Sequence, residues 1–306
     1  MPKTMLLERI ARLEYLASGS KLRRLLANPL RYLNAIFFKE FVYPRTQKER
    51  LVQTEIITGD KIDVLLPAAT DIYLTGGKTH SSEVRLARFL VQHLRSGDCF
   101  WDIGAHYGYF SLIAAQLVGA QGSVLSIEAA PKTYAVLMKN AGLKANIDTM
   151  NLAVAAESGS IKFYQFPNKY SEYNTLDISQ YKHEEWLEQV DVEEVEIPGL
   201  SLYELYVQTS KVPNLIKIDV EGGEAAAIQG AKQLLELFAP GVVMEYLEEA
   251  RNNEAHKEAA QMLLEHGYNA MAIAESGSLL PLENIDAYLH TNGLDSDNIV
   301  FIKHVK

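Results

Sequence analysis

The sequence has almost no cysteine and no long hydrophobic run, and both absences limit what the protein can be. Its 306 residues include one cysteine, Cys99, which excludes an intramolecular disulfide and a zinc site built from several cysteines. No apolar stretch approaches the roughly 18–20 residues of a membrane-spanning helix. The stretch MPKTMLLERIARLEYL carries charges throughout, unlike a secretory signal peptide. We therefore expect a cytoplasmic protein.

Positive charge is scarce outside one segment of the chain. The formal net charge is −10, yet residues 1–50 hold 11 Lys and Arg against 4 Asp and Glu. An acidic main domain is a poor partner for nucleic acid, so we expect none. The composition divides the chain into a basic N-terminal extension, residues 1–48, and a main domain, residues 49–306.

The N-terminal extension is both basic and apolar, and its periodicity predicts helices. Leu6, Ile10 and Leu13 share one helix face, and Asn28-Pro29 is a typical helix start. Two interpretations stay open for the stretch KLRRLLANPLRYLNAIFFKEF. It forms a helical cap on the domain or on a second subunit of a homodimer, or residues 1–45 make peripheral contact with a membrane.

The main domain begins with a small β-hairpin region and continues as alternating strands and helices. Residues 52–75 look like short strands around a turn at Gly59-Asp60, and a helix begins at Ser81 or Ser82. Strands are predicted at 99–103, 123–128, 149–154, 160–166, 192–197, 214–219, 241–246, 268–274 and 298–303. Helices are predicted at 107–118, 132–142, 201–208, 223–237 and 253–266. This alternation indicates an α/β fold with a doubly wound, mostly parallel sheet, whose ligands bind at the C-terminal strand ends.

The stretch DIGAHYGYFS, residues 102–111, lies at such a strand end and lacks the residues of two common nucleotide motifs. A dinucleotide fingerprint needs glycine where His106 and Tyr109 stand, and a phosphate-binding P-loop needs a Gly-Lys pair that is absent. What remains is Asp102, Gly104 and Gly108 after a strand, with Glu128 ending the next strand. A carboxylate there can accept both ribose hydroxyls, so the pattern favours S-adenosylmethionine, with Asp102 accepting from its amino group directly or through water.

Three stretches resemble the FkbM-type methyltransferases: DIGAHYGYFSLIAAQ, IKIDVEGGEAAAIQGA and VVMEY. The resemblance runs from about residue 75 to residue 250. It implies a Rossmann-like class I methyltransferase fold with a seven-stranded sheet, core motifs within residues 98–246, and S-adenosylmethionine as the cofactor. It also implies O-methylation of a hydroxyl on a sugar, glycan or polyketide-type natural product. His106 and Tyr107 stand where the family more often has Asn and Ile, which predicts an altered pocket wall.

The predicted cofactor site combines the loop with neighbouring strand ends. Its residues are Asp102, Gly104, Ala105, His106, Tyr107, Gly108, Glu128, Ala129, Ala153, Asp219 and Glu83. A nucleotide-binding oxidoreductase of the same architecture and a non-catalytic subunit that binds S-adenosylmethionine are the alternatives to an enzyme that transfers methyl groups.

The acidic stretch IKIDVEGGE and the acid of VVMEY supply the predicted chemistry. The catalytic candidates are Asp219, Glu221, Glu245 and His106, with Asp219 preferred as the general base and His80 as a further alternative. Two other interpretations stay open. Asp219 and Glu245, with Glu221, could bind Mg²⁺, although Mg²⁺ is not the favoured cofactor. The acids, Glu224 among them, could instead be structural residues at a helix N-terminus.

An aromatic segment interrupts the alternating pattern and predicts one side of the acceptor site. Residues 164–186 contain Tyr164, Tyr170, Tyr173, Tyr181, His183 and Trp186. A long connection over the strand ends is a candidate lid or wall, and aromatic rings pack well on sugar or polyketide faces.

Overall fold

The structure is a computed structural model that describes residues 1–176, 178–181, 186–187, 190–251 and 253–303. His183, predicted as part of the acceptor wall, lies outside these residues.

Helices form the N-terminal segment, as its periodicity predicts. They are α1 (Lys3–Ala17), α2 (Lys21–Ala27), α3 (Pro29–Phe37), a π-helical turn (Phe38–Val42) and α4 (Tyr43–Thr46). The predicted start is confirmed, since the Asn28 side chain accepts from the backbone N–H of Arg31 at 3.2 Å and Pro29 opens α3. Among the described residues, no helix combines the length and hydropathy that crossing a membrane requires.

The remaining elements follow in the predicted alternating order. The strands are β1 (Arg50–Glu55), β2 (Lys61–Leu66), β3 (Cys99–Ile103), β4 (Ser123–Glu128), β5 (Ile147–Asn151), β6 (Ala153–Val154), β7 (Gly159–Gln165), β8 (Glu193–Leu200), β9 (Leu215–Ile218), β10 (Gly241–Leu247), β11 (Asn269–Ile273), β12 (Leu279–Pro281) and β13 (Ser296–Ile302). The helices are α5 (Thr70–Thr75), α6 (Ser81–His93), α7 (Tyr109–Val118), α8 (Pro131–Ala141), α9 (Leu202–Thr209), α10 (Glu224–Gln229), α11 (Lys232–Phe238), α12 (Glu254–Glu265) and α13 (Ile285–Asn292).

The main sheet has eight strands in the order β12-β11-β13-β10-β9-β3-β4-β5. Strands β5, β4, β3, β9 and β10 pair in parallel, whereas β13 runs antiparallel to both β10 and β11. The predicted doubly wound, mostly parallel α/β fold is therefore confirmed. Seven strands form the expected sheet, and the three-residue β12 adds an eighth at one edge.

The order of the strands reverses at β3, which places a binding site there. The chain passes from β3 outward through β4 to β5, and later returns to β9 on the other side of β3. The C-terminal ends of β3 and β9 therefore border a crevice, the usual ligand position in doubly wound sheets. Strands β6, β8 and β7 form a separate small sheet, so the predicted strand 149–154 is split between two sheets.

Several predicted boundaries are displaced, and packing explains two of them. Helix α7 begins at Tyr109 rather than residue 107, because Gly108 has a φ of +85°. The predicted helix 223–237 is interrupted near Gly230, where a Cβ would lie 2.3 Å from the carbonyl oxygen of Ala155. Residues 70–75, predicted as strand, form α5.

Helix α1 is part of the main hydrophobic core. Leu6, Ile10 and Leu13 are buried in the same cluster as Val84 of α6 and Phe110 of α7. Lys3 Nζ also donates to the Leu94 carbonyl at 2.8 Å. The compositional boundary near residue 48 is therefore not a boundary in packing.

Candidate active site

A cavity of about 800 Å³ opens at the C-terminal ends of β3, β4, β9 and β10. This volume lies within the roughly 300–1,000 Å³ of typical small-ligand sites. Its walls include most of the predicted site: Glu83, Gly104, Ala105, His106, Tyr107, Glu128, Ala129, Ala153, Asp219, Glu221 and Glu245. These residues meet because the C-terminal ends of the parallel strands lie at one edge of the sheet, and their roles in binding stay a prediction.

Gly104 brings the loop after β3 close to the end of β9. Its φ is +78°, and a Cβ there would lie 1.8 Å from the carbonyl oxygen of Asp219. The backbone N–H groups of Gly104 and Ala105 both donate to the Ile127 carbonyl at 2.9 Å. Glycine is required at this position because two strand ends approach each other without space for a side chain.

Glu128, the last residue of β4, is held by backbone groups. Its Oε2 accepts from the His106 N–H and its Oε1 from the Ala130 N–H, both at 2.9 Å. Each carboxylate oxygen keeps acceptor capacity for a further donor, because an ionised carboxylate has about four acceptor positions. Burial raises the pKa of Glu128 to about 7, although the two N–H groups oppose that rise. This carboxylate is positioned to bind hydroxyl groups in the cavity.

His106 follows Gly104 in the cavity wall and has a left-handed backbone, with a φ of 51°. Its ring packs on the ring of Tyr107 at a centroid distance of 3.8 Å, and its Nε2 lies 3.5 Å from Ser171 Oγ. Burial, with Lys78 nearby, lowers the pKa of His106 to about 3. The imidazole is therefore neutral at physiological pH and a weak base. His80, the other alternative base, also lines the cavity, with Nδ1 2.6 Å from Ser82 Oγ.

Two predicted cofactor residues, Asp102 and Gly108, do not line the cavity. Asp102 is buried behind it, where Oδ2 accepts from Ser111 Oγ at 2.6 Å and Oδ1 lies 3.8 Å from Lys217 Nζ. Gly108 caps α7, and a Cβ there would meet Leu137 at 2.9 Å. Asp102 therefore supports Lys217 and α7, and Gly108 is required by local geometry. The contact of Asp102 with the amino group of the cofactor, directly or through water, stays a prediction.

The buried Lys217 forms an ion pair with the partly exposed Asp219 at the end of β9. Lys217 Nζ donates to Asp219 Oδ2 at 3.0 Å, while its ammonium lies over the ring of Phe110. Burial disfavours ionisation of Asp219, but Lys217 and Lys78 outweigh it and hold the pKa of Asp219 below its usual value. The cavity therefore contains a carboxylate that is ionised at physiological pH.

Asp219, Glu221 and Glu245 form an acid cluster on the opposite side of the cavity from Glu128's strand. One carboxylate oxygen of each lies within 4.8 Å of the others. Burial, reinforced by Asp219, raises the pKa of Glu245 to about 7. Burial and the proximity of Glu245 raise the pKa of Glu221 well above its usual value. Tyr181 donates to Glu221 Oε2 at 2.9 Å.

Glu224 does not belong to this cluster and is structural. Its carboxylate accepts from the backbone N–H groups of Val220 and Gly222 at 3.2 and 2.9 Å. It is buried at the start of α10 and lies 3.6 Å from His256 Nε2. Glu224 therefore closes the turn that presents Glu221, which is the structural alternative considered for the acidic stretch.

The aromatic segment contributes one ring to the cavity. Tyr173 lines the wall, together with Lys169, Ser171 and Asn174. The other described rings pack mainly on one another, as in the stacked pair of Tyr170 and Trp186 at 4.7 Å. The segment is thus a compact aromatic cluster over one side of the cavity.

Sequence reasoning did not identify several cavity residues. Ser296 and Asn298 lie on β13, where Asn298 pairs with Glu245 across the sheet. Arg24 and Lys39 reach the cavity from the N-terminal helices. No local motif marks these positions, because each depends on contacts between distant parts of the chain.

The residues present fit S-adenosylmethionine. Glu128 offers acceptors suited to two ribose hydroxyls, and apolar side chains, among them Leu152 and Phe163, lie in the same wall and suit an adenine ring. The ionised Asp219 offers a partner for the ammonium end of an amino acid.

The class of protein follows from the fold and from a match to a family model. An α/β sheet of this order with a cavity at its reversal point is the class I methyltransferase architecture. Residues 102–270 match the model of the methyltransferase FkbM domain, which is more than half of the chain. The chain belongs to the FkbM methyltransferase family. No curated protein matches the sequence.

Solved methyltransferase structures are similar to this chain at low sequence identity. An FkbM methyltransferase from Methylobacillus flagellatus KT is 12% identical, with a TM-score of 0.43; the match covers 77% of this chain and 52% of that one. The chain thus spans about half of that protein. Fibrillarin from Aeropyrum pernix, with S-adenosyl-L-methionine bound, is 12% identical (TM-score 0.41, covering 82% and 92%). An O-methyltransferase from Bacillus cereus with SAH is 11% identical (TM-score 0.43, covering 74% and 83%).

Proposed function

We propose that the protein is an S-adenosylmethionine-dependent O-methyltransferase that acts on a hydroxyl of a sugar, glycan or polyketide-type natural product. Family membership supports methyl transfer. The observation that carries the proposal is that one cavity contains both Glu128, held by two backbone N–H groups, and the acid cluster. Glu128 suits the hydroxyls of a ribose, and the acid cluster suits an acceptor hydroxyl that must lose a proton.

The cofactor supplies an electrophilic methyl group on a sulfonium, which the acceptor oxygen attacks in line. Glu128, Gly104 and Ala105 hold the cofactor, and Ala129 and Ala153 complete the wall without bulky side chains. Holding both reactants in one cavity provides much of the acceleration, since well-oriented groups gain up to roughly 7–11 kcal/mol.

Glu245 takes the proton of the acceptor hydroxyl in this proposal. A general base is most effective when its pKa is near the working pH, and the pKa of Glu245 is about 7. Asp219, preferred from the sequence alone, is held ionised by Lys217 and is the weaker base for that reason. It instead accepts a hydrogen bond that orients the hydroxyl, while Glu221 keeps its proton and Tyr173 packs on the acceptor.

A divalent cation at Asp219, Glu221 and Glu245 is the alternative form of this chemistry. Three carboxylates within 4.8 Å suit an oxygen-ligated ion such as Mg²⁺, which would lower the pKa of the hydroxyl in place of a base. Methyl transfer that persists undiminished in EDTA would exclude this alternative.

Calorimetry with S-adenosylmethionine and S-adenosylhomocysteine tests the proposal. We expect micromolar binding of both and none of NAD(P)H, which would also dismiss the oxidoreductase alternative. A panel of hydroxyl-bearing sugars, glycans and polyketides is then incubated with S-adenosylmethionine, and S-adenosylhomocysteine release is measured. Absence of heat with either adenosyl ligand would refute cofactor binding. Binding without turnover on any acceptor would instead support the non-catalytic alternative.

A further inference from the structure

The N-terminal helices present an apolar surface that nothing in the described chain covers. Leu26, Leu30, Leu33, Phe37 and Phe41 are between 53% and 81% exposed. The last four recur at spacings of three and four residues, which places them on one face of the continuous helical segment from α3 to α4. We call the surface formed by Leu30, Leu33, Phe37 and Phe41 the apolar face.

The same helical segment is also buried on its other side, so the exposure is not a consequence of a loosely attached helix. Ala35 and Phe38 are buried, and Phe38 and Tyr43 pack with Leu66 of β2. Arg31 anchors the segment by donating to Thr54 Oγ1 at 3.0 Å. The apolar face is therefore held rigidly outward. Contiguous apolar surface of this kind marks an interaction site in most proteins.

Positive charge surrounds the apolar face in an otherwise acidic protein. Residues 21–50 contain eight Lys and Arg and two Asp and Glu, whereas the rest of the chain contains 21 and 37. Lys21, Lys39 and Lys48 are exposed within this segment. Apolar side chains in a basic surround are complementary to the interface of an anionic membrane, where acyl chains lie beneath negatively charged headgroups.

The apolar face adjoins the mouth of the active-site cavity. Arg24 of α2 and Lys39 of the π-helical turn line that cavity, and Arg24 Nε is buried without a hydrogen-bond partner among the described residues. The N-terminal segment lies outside residues 102–270, which match the family model. The surface therefore lies outside the residues that match the family model and borders the cavity.

We propose that the apolar face docks on an anionic lipid membrane, with the cavity mouth turned toward the bilayer. Arg24 and Lys39 belong to the N-terminal helices that carry the apolar face, and both also line the cavity. Docking of these helices therefore brings the cavity mouth to the bilayer surface. It implies an acceptor hydroxyl carried by a membrane-bound molecule, a consequence that rests on the proposed methyl transfer. The docking itself does not rest on it.

Flotation of the full chain with vesicles tests the docking. Vesicles of phosphatidylcholine alone are compared with vesicles that also contain phosphatidylglycerol. We expect flotation only with the anionic vesicles, and a decrease when salt is added. In the triple variant Leu30→Gln, Leu33→Gln and Phe37→Gln, the affinity for anionic vesicles should fall by about tenfold or more. Lys21→Glu with Lys48→Glu should also lower binding, and neither lysine lines the cavity.

A matched variant distinguishes binding through the apolar face from non-specific hydrophobic binding to vesicles. Val207→Gln, Leu237→Gln and Leu264→Gln replace three exposed apolar side chains on α9, α11 and α12. This control should float like the unchanged protein. S-adenosylhomocysteine binding, measured in parallel without vesicles, should be equal in all variants. Its absence from every variant would contradict the proposed function alone.

Three results would overturn the docking proposal. The first is no flotation with anionic vesicles, and the second is equal flotation of the triple variant and the control. The third is a dimer, detected by light scattering, that the triple variant converts to monomer while lipid binding is absent. That result would assign the apolar face to a second copy of the chain.

Discussion

The two sides of the active-site cavity are built in different ways. On one side, Glu128 is fixed by backbone N–H groups from residues 106 and 130, beside a loop whose shape depends on Gly104. On the other side, burial and neighbouring carboxylates raise the pKa values of Glu221 and Glu245 in the acid cluster. The first side is satisfied by its own backbone, whereas the second remains electrostatically unfavourable until a proton, a cation or a substrate is present.

This difference separates a binding surface from a reactive one. Backbone donors are lost only on substitution by proline and hold Glu128 in one place, which suits recognition of a constant cofactor. Glu245 has a pKa of about 7 and lies beside two further carboxylates, so it can exchange a proton at physiological pH, which suits chemistry. Glu128 has a similar pKa and is distinguished by the two backbone donors that fix its carboxylate. Substitutions of Glu245, Glu128 and Gly104 change the reactive side, the binding side and the contact between them, respectively.

Glu245→Gln should have the largest effect because it removes the proposed base. With the acceptor found in the screen, we expect the turnover rate to fall by about 10²–10⁴-fold. For the unchanged protein, the rate should rise with pH through about 7, since only the ionised form of Glu245 accepts a proton. The variant should lose that step in the pH profile. Glu157→Gln, on an exposed bend, is the control, and a variant as fast as this control would exclude Glu245 as the base.

Glu128→Ala tests the binding side of the cavity. Two hydrogen bonds to a charged group contribute roughly 1.5–3 kcal/mol each, so the affinity for S-adenosylhomocysteine should fall by at least about 100-fold. Calorimetry measures this loss, and a melting curve checks that the variant is folded. Unchanged affinity in a folded variant would show that the ribose is bound elsewhere.

Gly104→Ala tests the contact that joins the two sides. The added Cβ would meet the Asp219 carbonyl at 1.8 Å in a left-handed backbone, and we expect a loss of about 2–4 kcal/mol in the free energy of unfolding. Gly97→Ala is matched to it, because Gly97 has a φ of +94° and nothing within 4 Å of its Cβ position. The control should lose only about 1 kcal/mol in urea denaturation. Equal losses would mean that the close approach carries no energetic cost.

Glu245→Gln should have a smaller, pH-dependent effect on stability without ligand. The pKa of Glu245 is about 7 in the folded protein and near 4.5 when unfolded, so the unfolded state ionises first as pH rises. Its stabilising contribution is complete below about pH 4.5 and is lost as pH rises through 7. The variant should therefore gain about 1–3 kcal/mol relative to the unchanged protein between pH 5 and pH 8. Denaturation curves of both proteins at pH 5 and pH 8 measure the gain. If the difference in free energy of unfolding between them is the same at both pH values, the pKa of Glu245 is not raised.

Local patterns and strand alternation predict much of the fold and of the cavity. Gly104 and Glu128 are recognisable because each stands at a strand end next to a helix start, and alternation brings such ends to one edge of the sheet. The same reasoning places Asp219 and Glu245 on that edge. Family resemblance adds the methyltransferase family, and the family model confirms the chain's membership of it.

The remaining features depend on contacts that sequence spacing does not encode. Asn298 faces the site because β13 inserts antiparallel beside β10, a pairing between residues more than 50 positions apart. Asp102 turned out to lie behind the wall because Ser111 and Lys217 hold it there. The preference for Asp219 as base did not include the effect of its ion pair with Lys217, which exists only in the folded protein.

Helix α1 also has a consequence for how the chain reaches its native state. Its buried residues share a hydrophobic cluster with residues of α6 and α7, and Lys3 donates to a carbonyl 91 positions away. A 15-residue helix is marginally stable alone in water, so α1 cannot be secured until the chain beyond residue 94 has collapsed onto it. Until then Leu6, Ile10 and Leu13 stay exposed to solvent. Docking of α1 is therefore a late, long-range step, and slow folding or early aggregation should respond to substitutions on this helix more than to changes in the cavity.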